Sequence, residues 1–108
     1  MSAEKKKVRQ QFRDAVFTRD GNKCRGCGWG LFRPGELELD AHHITDRTLM
    51  PNGGYVKENG ISLCPTCHEK AEVFHSTGTA LEGWTPEDLY KKVGSSYELA
   101  VEASERLK

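Results

Sequence analysis

The sequence predicts a small α+β domain stapled by zinc, and three observations carry that expectation. The chain has 108 residues, enough for one domain and too few for two. Its four cysteines form two Cys-x-x-Cys pairs. Helix-like periodicity at both ends flanks a glycine-rich middle with strand-like alternation.

Residues 5–19 predict a helix, because Val8, Phe12, Ala15 and Val16 form one apolar stripe while Lys6, Arg9 and Arg13 lie off it. Asp20-Gly21-Asn22 supplies the turn chemistry that ends it. Residues 23–35, with Cys24, Cys27 and four glycines, predict a compact loop. Glu36 to Ala41 alternates polar with apolar, as a half-buried strand does. Pro51-Asn52-Gly53-Gly54 makes 45–58 a turn-rich connection, and Gly60 to Leu63 can return as a second strand. Proline is tolerated at a first helical position, so Pro65 opens a helix with Cys67, Ala71 and Phe74 facing the core. Thr85-Pro86-Glu87-Asp88 signals another helix start, and Ser95 with Glu98 predicts a capping box for a last helix ending near Leu107. Beyond the two cysteine pairs there is no internal repeat. Residues 1–108 are expected to form one domain, with 85–107 as a helical C-terminal extension.

Mean hydropathy is −0.68 and no apolar run approaches the length of a membrane span. The lysines at 5–7 have no apolar stretch behind them, unlike a secretory signal. A cytoplasmic, reducing location is expected. Sixteen Lys and Arg balance sixteen Asp and Glu, which at first argues against a polyanionic partner. The zero hides an asymmetry: residues 1–34 carry +6, and the two following thirds carry −3 each.

A two-residue spacing lets both thiolates of a pair reach one ion at about 2.3 Å, and two pairs fill a tetrahedral zinc shell. The expected ligands are Cys24, Cys27, Cys64 and Cys67. A redox dithiol would need only one pair, and disulfides are out of place in a cytosolic chain. Saturated by sulfur, this zinc would build architecture and not catalysis. The four histidines then remain, at positions 42, 43, 68 and 75. An adjacent pair such as His42-His43 can divide its labour, one ring binding a metal while the other serves as a base near neutral pH. His68 and Glu72 lie one helical turn apart, with His75 on the same face. The plainer alternative is that histidines near a zinc site are supporting or surface residues.

Three segments, Arg19 to Gly28, Ala41-His42-His43-Ile44 and Asn59 to His68, together resemble the HNH endonuclease family. The likeness spans roughly residues 12–75 and is narrower still to members whose ββα-metal core is pinned by a four-cysteine zinc. It implies a general-base role for His43 and metal ligation by His42 and His68. Asn59 would fix the hairpin loop and orient the base. Some relatives place a further histidine where this chain has Glu72, so Glu72 or His75 could be a third ligand or a supporting partner. The implied reaction is hydrolysis of DNA, held mainly by its backbone, to a 3′-hydroxyl and a 5′-phosphate. A divalent ion (magnesium, manganese, nickel, cobalt or a second zinc) would stabilise the phosphoryl charge, and imidazole ligands favour the transition metals. Arg47, Arg9 and Arg13 could bind phosphate. A homodimer or a larger nuclease or phage assembly fits the resemblance, and a non-catalytic zinc-stabilised binding module is the competing reading. Trp29 and Trp84 are expected to pack rather than stack on bases.

Overall fold

The computed structural model describes residues 3–28 and 39–107. Helix α1 runs Ala3–Arg19, strands β1 and β2 run Asp40–His43 and Gly60–Leu63, and α2 runs Pro65–Thr77. Two shorter helices follow, α3 at Pro86–Lys92 and α4 at Tyr97–Glu105. The strands form a two-stranded antiparallel sheet in which His42 pairs Ile61 and His43 pairs Gly60. The order β1, β2, α2 makes a ββα unit, and α1, α3 and α4 pack around it. Among the described residues, no helix is long and apolar enough to cross a membrane.

Helix α1 buries Phe12 and Val16 as its periodicity requires, with Val8 and Ala15 half-buried beside them. It ends where Gly21 and Asn22 adopt left-handed φ values of 67° and 56°. Asp20, only 4% exposed, then ties the helix end to the sheet. Its carboxylate accepts from the Arg19 guanidinium and from the Ser62 N–H at 2.9 Å, while Arg19 also donates to the Gly60 carbonyl at 2.7 Å. Gly60 lets α1 approach closely, because a Cβ there would sit 2.4 Å from Val16 Cγ2 and 2.9 Å from the Phe12 ring.

The connection between the strands is a series of short 3₁₀ turns at Arg47–Leu49, Pro51–Gly54 and Lys57–Asn59. Asn52 and Gly53, both at positive φ, form the bend that the Pro-Asn-Gly-Gly run predicts. The expected strand at 36–41 is displaced: the described part begins at Asp40 and continues through His43, and residues 36–38 lie outside the described residues, as does Trp29. In α2 the buried residues are Cys67 and Ala71, whereas Phe74 is half-buried. Trp84 packs against the core, as expected.

At α3 the expected helix start is present and takes the form of a capping box, with Thr85 accepting from the Asp88 N–H and Asp88 accepting from the Thr85 N–H. The last helix departs from expectation by one residue. Ser96, not Ser95, is its cap and accepts from the Leu99 N–H. Ser95 is diverted, because its hydroxyl donates to the Glu58 carbonyl at 2.8 Å.

Candidate metal centre and histidine cleft

The four cysteines come together between the end of α1 and the start of α2. Their sulfurs lie within 4.8 Å of one another, and Cys27 Sγ is 4.0 Å from Cys64 Sγ. A tetrahedral zinc with bonds of about 2.3 Å separates its sulfurs by about 3.8 Å, so the set fits that ion. Gly26 makes the first knuckle feasible, since a Cβ there would lie 2.9 Å from Cys67 Sγ. Burial would raise the Cys24 thiol, but backbone hydrogen bonds at Cys64, Cys27 and Gly26 outweigh it and lower it from 9.0 to about 7. Cys67 is pushed upward by burial and by hydrogen bonding to its neighbouring cysteines. Sulfurs crowded in this way need a cation before all can ionise. Because Cys64 caps α2 and Cys67 lies in its first turn, the same staple fixes where His68 starts.

The histidines gather on the other side of α2. In β1, successive side chains point to opposite faces, so His42 and His43 separate. His42, 3% exposed, turns toward α2, where its Nδ1 lies 3.2 Å from Glu72 Oε1. Its Nε2 is buried without a hydrogen-bond partner. His68 is gripped by two carboxylates: Nδ1 is 2.9 Å from Asp40 Oδ2 and Nε2 is 3.1 Å from Glu72 Oε1. Glu72 therefore stands between His42 and His68, at the position the resemblance left open. His42, Glu72 and His75 each offer a ligand atom within 4.8 Å of the others. His75 Nε2 also donates to the His43 carbonyl at 3.0 Å, which leaves Nδ1 as its basic nitrogen.

His43 faces α1. Its ring stacks on Phe12 at 4.5 Å between centroids and meets the edge of Tyr55 at 4.8 Å. Its Nε2 has no hydrogen-bond partner. Burial lowers His43 from 6.5 to about 4, helped by the charges of Arg47, His75 and Arg9 and opposed by Asp46. Burial likewise lowers His42 to about 3, with His68, His75 and His43 adding to it. Both rings are thus neutral at pH 7, the form that accepts a proton or binds a metal. A cleft of about 380 Å³ is lined by His42, His43, His68, Glu72 and His75, and by Arg9, Arg13 and Arg47 at its rim.

Asn59 lies behind this cleft and is fully buried. Its amide makes four hydrogen bonds. Oδ1 accepts from the Thr45 N–H at 2.9 Å and the Tyr90 hydroxyl at 2.8 Å, while Nδ2 donates to the carbonyls of Thr45 at 3.0 Å and Gly54 at 3.2 Å. Its own carbonyl accepts from the Ile44 N–H. The segment leaving His43 is therefore held at consecutive residues. Three members of this arrangement escape a motif search: Asp40, Tyr55 and Tyr90. Asp40 had a usable signal, because it lies two residues before His42 and so shares its face of the strand. Tyr55 and Tyr90 sit in turn and helix segments with no local mark.

A ββα unit with a four-cysteine cluster and a histidine at the end of its first strand defines the class of the domain. The family model for HNH endonuclease matches residues 24–73, from the first cysteine nearly to the end of α2, so this segment is similar to that family. Searches of curated proteins and of solved structures found no match to the chain.

Proposed function

We propose that the protein is a metal-dependent endonuclease that hydrolyses DNA phosphodiester bonds, with His43 as general base. The observation that carries this reading is a neutral imidazole that lines the cleft, held between Phe12 and Tyr55 beside a cluster of two further histidines and a glutamate. His42 and His68 are the proposed ligands of a divalent ion, with Glu72 as the third group and His75 alongside. The orphaned His42 Nε2 and the shared Glu72 oxygen support that donor set. Asp40 would fix the His68 tautomer so that Nε2 carries the lone pair.

An ion bound there would stabilise charge on the phosphoryl and leaving oxygens. The His43 imidazole takes a proton from water as the water oxygen bonds to phosphorus. The P–O3′ bond breaks, the leaving oxygen takes a proton from solvent, and the products are a 5′-phosphate and a 3′-hydroxyl. Asn59 acts through the backbone of residues 44 and 45, which holds His43 at the strand end.

Plasmid cleavage in the presence of magnesium, manganese, nickel, cobalt or zinc tests the proposal. We expect wild type to nick or cut with at least one of these ions. His43→Ala should lower the rate at least about 10²-fold while keeping the wild-type melting profile. A fully active His43→Ala variant would remove the mechanism. Retained DNA binding without cleavage under every ion would favour the zinc-stabilised binding module instead.

A further inference from the structure

The Asn59 amide holds the backbone that leaves His43, but the imidazole keeps two side-chain torsions of its own. The outer one joins an sp³ to an sp² carbon and has a broad profile, so packing or a hydrogen bond must choose the rotation of the ring. His43 Nε2 has no hydrogen-bond partner, so no bond at that nitrogen makes the choice. The ring instead meets two aromatic neighbours. Phe12 lies nearly flat on it, with the planes 26° apart and the centroids at 4.5 Å. Tyr55 stands perpendicular to both rings, 4.8 Å from His43 and 5.8 Å from Phe12.

The sheet makes the place that Phe12 occupies. Gly60 is the cross-strand partner of His43, and directly paired residues share a face of the sheet. A Cβ at Gly60 would lie 2.9 Å from both Cε1 and Cζ of Phe12. The side chain missing beside His43 therefore leaves the room into which α1 places an aromatic ring. Phe12 is 3% exposed, and it precedes residues 24–73, so the match to the family model assigns it no role.

We propose that Phe12 is a positioning residue for the general base, holding the His43 imidazole at the rotation that presents it to the cleft. The inference rests on the nuclease reading and adds to it a residue of α1. An aliphatic side chain could fill the same volume, but its flexible surface would leave the imidazole free to turn. A misaimed base costs rate without costing affinity for the substrate.

The test compares Phe12→Leu and Phe12→Met with Val16→Ala in the full chain. Val16 lies one turn further along α1, is as deeply buried and also packs over Gly60, but it carries no ring to stack on His43. Plasmid cleavage over a range of DNA concentrations separates kcat from KM. Carbon-resolved proton NMR follows the His43 ring protons, which the face of Phe12 shifts upfield. We expect both Phe12 variants to lose kcat by about tenfold or more at an unchanged KM, and to lose the upfield shift. Val16→Ala should lower the melting point and keep both kcat and the shift.

A wild-type kcat in either Phe12 variant would overturn the inference, as would an equal loss of kcat in Val16→Ala. Unshifted His43 protons in the wild type would overturn it without any variant. The two failures are distinct: a wild type that cleaves with no ion removes the nuclease reading and this inference together, whereas a wild type that cleaves no faster than Phe12→Leu removes this inference alone.

Discussion

His42 and His43 are neighbours in the chain, but the pleat of β1 gives them different surroundings. His42 meets Glu72 and the rings of His68 and His75, whereas His43 meets Phe12 and Tyr55. Their common property is burial, which lowers both below the ordinary 6.5. The sign of the resulting linkage is definite. An unfolded chain binds protons at these positions below about pH 6.5, and the folded chain does not until about pH 4 for His43 and about 3 for His42. Their contribution to stability is therefore complete above pH 6.5 and is lost as pH falls through that window. Each unit of descent removes up to about 1.4 kcal/mol per buried ring. Thermal melts from pH 7 to pH 4.5 should show Tm falling, and His43→Gln should flatten part of that fall. An equally steep fall in the variant would mean that His43 does not contribute. The cysteine pairs were legible from spacing and the histidines from the family resemblance their motifs carry, but their partners were not. Asp40 and Glu72 reach His68 from different elements, and a one-dimensional motif carries no such distance.

At the scale of elements, β2 owes its position to one missing side chain. Gly60 has an extended backbone, φ −126° and ψ 152°, that any residue could adopt, so its requirement is purely steric. Gly60→Ala should push α1 away from the sheet, loosening the Phe12–His43 stack, at a cost of about 1–3 kcal/mol. Calorimetry or chemical denaturation would measure the loss, and an unchanged melting point would show that α1 adapts without strain. Helix boundaries were mostly readable because caps and turn residues act locally: Asp20-Gly21-Asn22, Pro65 and Thr85-Asp88 each stand where their chemistry predicts. Ser95 fails as a cap for a non-local reason. Its hydroxyl is taken by the Glu58 carbonyl, and Ser96 serves in its place.

Across the whole molecule, α3 and α4 are bound to the turns between the two strands. Tyr90 joins Asn59 and Thr45, Ser95 joins Glu58, and Asn52 donates to the carbonyls of Ser104 and Leu107. We expect Tyr90→Phe to leave the Thr45 hydroxyl without its acceptor and Asn59 Oδ1 with one donor fewer, at a cost of about 1–2 kcal/mol. If the network positions His43, kcat for DNA cleavage should fall more than KM changes, with zinc content unaltered. A wild-type kcat in a destabilised Tyr90→Phe protein would confine these helices to a supporting role. None of these ties was visible in the sequence, where residues 78–108 show helices without a destination. They also impose an order in time. Thr45 and Asn59 leave the ribosome well before Tyr90 and Ser95, so a nascent chain carries the complete histidine motif while the amide behind it still lacks the Tyr90 hydroxyl.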